Sequence, residues 1–220
     1  MAISNSILNN NANIPANTIK LEPASPQKQP YDAIELDLSS KDPKQREAEI
    51  LAVRGKNALN NGDLAKAQIF FKQSLAIRPN YIPAIFFMAM IMDMRGHYGD
   101  AVKLYEKIIQ CSDKPGFVSA AKKNMGQIFF AMGNFNYKKE DYAAALFYYA
   151  KATTADPNFA EAWNNKGVAH LKLNQYQEAI ESLDKAIKLN CDEALSNKDI
   201  AIRLKEISEG IYSSTIVPMP

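Results

Sequence analysis

Residues 160–190 read AEAWNNKGVAHLKLNQYQEAIESLDKAIKLN. Apolar residues recur at helical spacing on both sides of Asn174-Gln175, a turn-forming pair, so the stretch reads as two helices joined by a tight connection. A small residue marks each helix, Gly167 in the first and Ala179 in the second. Gly133 stands 34 residues before Gly167, and the same interval separates Gly55 from Ala89. A period of that length means a solenoid, in which each unit buries its apolar face only by stacking on its neighbours. Such a scaffold predicts a groove that grips another protein and makes an active site unexpected.

The same pattern can be laid along three more segments. Residues 160–193 carry Trp163, Lys166-Gly167, His170, Ala179, Leu183 and Ala186. Before them come Phe129, Met132-Gly133, Asn136, Ala145, Tyr149, Ala152 and Pro157. The first segment has Leu51, Arg54-Gly55, Ala58, Ala67, Phe71, Ser74 and Pro79, and the second, the weakest, has Ile85, Met88-Ala89, Met92, Ala101 and Tyr105. Two antiparallel helices approach closely only where a side chain is small, and the large residues beside that point fill the flanking space. The closing proline ends the second helix, whose hydrogen-bond ladder it cannot continue.

This pattern resembles the tetratricopeptide repeat family over roughly residues 48 to 193. The resemblance implies an all-α fold, a right-handed superhelical α-solenoid of about four antiparallel helix pairs plus a C-terminal capping helix. The repeats fall at about 48–81, 82–115, 126–159 and 160–193. Between the second and third, residues 116–125 are an insertion, because Ala89 and Gly133 are 44 residues apart. It is read either as a protruding extension of the next helix or as an extra turn before the repeat. Residues 194–210 form an amphipathic stretch suited to covering the last apolar face of the stack.

The ends differ in composition. Residues 1–41 hold Asn9, Asn10, Asn11, Asn13 and Asn17, then Pro15, Pro23, Pro26 and Pro30, with no helical period. They read as a disordered arm, since too little apolar surface is available to offset the entropy of ordering them. Helix formation is expected from Asp42-Pro43, where Asp42 can cap and Pro43 suits the first helical position. Residues 211–220 read as a flexible tail.

Composition narrows the function classes. With 47% hydrophobic and 23% charged residues, the chain can bury a sizeable core. A formal charge of +2 with no aromatic-interleaved basic stripe argues against nucleic acid as a partner. No apolar run approaches the roughly 20 residues that span a bilayer. Cys111 and Cys191 make no disulfide framework, which points to a reduced cytoplasmic protein. His97 and His170 fall in different repeats, and no phosphate-cradling glycine loop or nucleophile elbow occurs. The chain is therefore expected to be no enzyme and to use no metal and no cofactor.

Residues three before each small marker, one after it and four after it share one helical face. They include Lys56, then Phe86, Met90 and Asp93, then Phe130, Asn134 and Tyr137, then Asn164, Val168 and Leu171, with Phe87 adjoining. The resemblance implies that this face of the first helices is the peptide-binding groove, with a soft apolar centre. One subclass of the family clamps the C-terminal carboxylate of heat-shock chaperones with cationic and amide donors. The matching places here hold Ala52, Lys56, Phe87, Gln127 and Ala131, so that role is not expected. The leading expectation is a non-catalytic protein–protein interaction adaptor for a protein or peptide partner. The alternatives are a dedicated secretion or assembly chaperone shielding an apolar client segment, and a self-assembling scaffold that forms a homo-oligomer.

Overall fold

A computed structural model describes residue 36 and residues 38–211. The arm expected over 1–41 and the tail expected over 211–220 otherwise lie outside the described residues. Among the latter are nine α-helices and no strand: α1 (Pro43–Asn60), α2 (Leu64–Ile77), α3 (Ile82–Met94), α4 (Tyr98–Cys111), α5 (Pro115–Lys138), α6 (Tyr142–Ala155), α7 (Ala160–Lys172), α8 (Tyr176–Lys188) and α9 (Glu193–Ser208). The fold is all-α, as the helical period requires.

Local chemistry sets the ends. The Asp42 carboxylate accepts from the Lys44 and Gln45 amides at 2.8 and 3.3 Å, with Pro43 next to it. Asp63 and Asp141 cap α2 and α6 in the same way, accepting from Lys66 and Ala144 at 2.9 and 3.0 Å. Four turns between paired helices also share one closure. The amides of Asp63, His97, Asp141 and Gln175 donate back to the carbonyls of Ala58, Met92, Asn136 and His170. This is the Schellman arrangement, and it needs a left-handed residue just before the donor. Those residues are Gly62, Gly96, Glu140 and Asn174, with φ of 79°, 77°, 62° and 58°. Each lies seven positions after Gly55, Ala89, Gly133 or Gly167, so the turn keeps the period of the small markers.

Glu140 is the costly member of that set. Glycine has no Cβ to clash and asparagine tolerates the left-handed region, whereas glutamate pays about 1 kcal/mol or more there. Glu140→Gly should therefore raise stability by about 0.5–1 kcal/mol, less than the full strain because glycine loosens the unfolded chain. Asn174→Gly should stay within about 0.5 kcal/mol of the parent. Urea titration of both variants checks the contrast, and equal effects would remove the strain argument.

The described chain forms two compact units, one ending at Ile128 and one beginning at Phe129. In the first, Gly55 lets α2 approach α1. A Cβ built on it would stand 2.7 Å from the Phe71 ring. Phe71 stacks on Phe87 at 5.3 Å, Phe87 meets the edge of Phe86, and Phe86 meets Tyr105 and Phe117 edge-on at 5.8 and 5.5 Å. These buried rings form a continuous aromatic core through α2, α3, α4 and the start of α5. Ser74 donates to the Ala48 carbonyl at 2.7 Å and ties α2 to α1 within that core.

Residues 116–125 belong to the first half of α5, a single helix of 24 residues. Phe117, Ala121 and Met125 are buried, and Asn124 donates to the Tyr105 hydroxyl at 2.9 Å. Of the two readings of this segment, the helical extension is the one seen. It does not protrude, because its apolar side covers α3 and α4.

In the second unit Gly133 faces Tyr149 and Gly167 faces Leu183, where a Cβ would fall 2.5 and 2.6 Å from the nearest side-chain atoms. The core continues through Val168, Leu171, Ala179, Leu183, Ala186, Cys191, Ala194, Ala201 and Leu204. The stretch expected to cap the stack over 194–210 is α9. Its Ala194, Ala201 and Leu204 face inward, while Leu195 and Ile207 stay exposed among its charges.

Candidate functional site

In the first unit the candidate residues come from α1 and α3. Helix α3 is apolar nearly all round, and Phe86, Phe87 and Met90 are all buried, Phe86 only 1% exposed. The sequence placed them on an open groove face. They are instead core residues, because the extension of α5 brings Phe117 against Phe86, and Phe71 covers Phe87. Lys56 and Asp93 remain partly exposed. Burial pushes the Asp93 carboxyl up to about 6, since leaving water disfavours its charged form. No salt bridge in the described residues engages it. The nearest cation along the chain, Arg95, donates to Gln68 Oε1.

In the second unit the candidates come from α5 and α7. Phe130 packs on Phe159 at 4.8 Å and on Tyr149 at 5.9 Å. Tyr137 meets Tyr142 edge-on at 5.2 Å, and burial pushes its hydroxyl up to about 12. Both keep partial exposure. Val168 and Leu171 lie in the core against α8 and α9, and Asn134 and Asn164 are buried.

The two asparagines belong to a ladder that joins four helices, α5, α6, α7 and α9. The Tyr149 hydroxyl donates to Asn134 Oδ1 at 2.7 Å, and Asn165 Nδ2 donates to the same oxygen at 3.1 Å. Asn164 Nδ2 reaches Asn165 Oδ1 at 3.4 Å, and Asn197 Nδ2 donates to Asn164 Oδ1 at 2.9 Å. Amides inside a helix core are retained without penalty only when they satisfy one another, as these do. Asn165 and Asn197 were not among the residues expected from sequence. A signal existed in the near-repeat intervals of 31 and 33 residues that separate Asn134 from Asn165 and Asn164 from Asn197.

The arrangement offers shape and a few polar handles. Among the described residues no group of three His, Cys, Asp or Glu could hold a metal ion, and no helix is long and apolar enough to cross a membrane. Cys191 is buried, burial pushes its thiol up to about 11, and it lies 3.4 Å from Glu193, all of which oppose a reactive thiolate.

Comparison with known proteins gives the same architecture. The profile of the tetratricopeptide repeat matches residues 48–81, 126–159 and 160–190. Protein O-mannosyl-transferase TMTC1 of Mus musculus is 27% identical over 179 residues, which is 76% of this chain and 18% of that protein. Hsp70-Hsp90 organizing protein 3 of Arabidopsis thaliana is 36% identical over 56 residues, 26% of this chain and 10% of that protein. The chain thus spans less than a fifth of either relative. The crystal structure of a tetratricopeptide repeat protein from Parabacteroides merdae superposes with a TM-score of 0.51 at 17% identity, covering 74% of this chain and 62% of that one.

Proposed function

Because the chain belongs to the tetratricopeptide repeat family, we propose that it is a non-catalytic protein–protein interaction adaptor. It holds a peptide segment of a partner against faces of the leading helices of its repeats. The observation that carries this reading is the exposure pattern of those faces. Lys56 and Asp93 in one unit, and Phe130 and Tyr137 in the other, stay accessible beside neighbours that are fully packed. A rigid core behind a few reachable aromatic and charged side chains is the composition of a binding surface.

The similarity to the organizing protein does not bring a chaperone-tail role with it. Ala52 and Phe87, at two of the clamp places, are completely buried and carry no donor. Transfer of mannose stays with the relative so named, of which this chain spans 18%.

Affinity capture with mass spectrometry tests the proposal, comparing the parent chain with a Phe130→Ser/Tyr137→Ser variant whose helical content is checked by circular dichroism. Specific partners should be recovered about tenfold less well by the variant, a loss of about 1.4 kcal/mol. Unchanged recovery by a fully helical variant would end the reading for the second unit.

A further inference from the structure

Asp93 stands out among the acidic residues of the first unit. It follows Phe86 and Met90 on one face of α3, at the end of that helix, where the exposed Met94 adjoins it. Its side chain is half-buried, its carboxyl is pushed up by that burial alone, and its charge in turn helps to hold the Tyr105 hydroxyl above its usual range. The Tyr105 hydroxyl accepts from the Asn124 amide at 2.9 Å and brings no positive charge. By contrast, the more deeply buried Glu49 has Arg78 at 3.5 Å and the Ser40 amide at 3.4 Å. A half-buried carboxylate with no salt bridge among the described residues costs stability, and folded proteins normally pair such groups.

We propose that this end of α3 receives a lysine or arginine side chain of a partner's peptide, with the peptide's neighbouring apolar side chains set on Met94. The inference rests on the adaptor reading and names the chemistry of one partner segment. Charge complementarity selects it: an ammonium or guanidinium gains a charge-assisted contact in a partly dry setting and removes the cost of the lone carboxylate. Met94 is 58% exposed and unbranched, so it adapts to whichever apolar residue lies next to the cation.

The test is a synthetic array of ten-residue peptides in which a central Arg, Lys, Gln, norleucine or Glu is flanked by varied apolar residues. It is probed with the full chain and with its Asp93→Asn and Asp93→Glu variants. Peptides with Arg or Lys should bind the parent about tenfold better than their Gln and norleucine counterparts. Asp93→Asn should abolish that preference, and Asp93→Glu should retain most of it. Binding that prefers apolar centres, or a preference for cations that survives in Asp93→Asn, overturns the proposal and leaves the adaptor reading standing. If no peptide is retained by any of the three proteins, both fall.

Discussion

Replacing Gly133 by leucine should destabilise the protein by about 3 kcal/mol, despite the better helix propensity of leucine, which is worth only about 0.8 kcal/mol. The new Cβ alone would fall 2.5 and 2.6 Å from two atoms of the Tyr149 ring. That ring cannot swing aside, because it is completely buried and its hydroxyl is tied to Asn134 at 2.7 Å. Tyr149→Ala should cost about 3–5 kcal/mol for the opposite reason, an unfilled cavity. The double variant places the leucine into that cavity, so it should be more stable than the sum of the two losses implies by at least about 1 kcal/mol. Urea denaturation of the four proteins measures this, and strictly additive losses would show that the two positions do not meet.

Asn134→Leu comes next in size. Its oxygen is the shared acceptor for the Tyr149 hydroxyl and the Asn165 amide. Removing it leaves two buried donors without a partner, at about 1–2 kcal/mol each, so a total near 2–4 kcal/mol is expected. Tyr149→Phe removes one donor and leaves the Asn134–Asn165 pair intact, so it should cost only about 1 kcal/mol. Combining the two substitutions should cost less than their sum, since the phenylalanine no longer needs the acceptor. An Asn134→Leu protein as stable as Tyr149→Phe would mean that the ladder contributes nothing as a network.

Much of the architecture was legible because its rule is local. A small residue must stand where two helices cross, and the bulky partner it faces comes 16 positions later, as in Gly55 with Phe71, Gly133 with Tyr149 and Gly167 with Leu183. Both halves of that rule lie within one repeat. The candidate site was less legible because exposure is not a local property. Helical spacing says that Phe86, Met90 and Asp93 share a face, but it does not say what covers the face. Phe117, 31 residues beyond Phe86, decides that. Glu140 escaped for another reason. Glutamate is no turn former, and its left-handed backbone follows from the closure of α5 and not from its own side chain. Of the two neighbouring acids only Asp141 serves the next helix, as the cap of α6.

Helix α5 contributes its first turns to one core and its last turns to the other. A helix is held by bonds that reach four residues along the chain, so melting one half strips support from the other at the point where they join. Any domain boundary drawn between residues 128 and 129 would cut through this shared element. Each fragment would then begin or end in half a helix whose buried side chains, Phe117, Ala121 and Met125 on one side and Phe129 on the other, are still required.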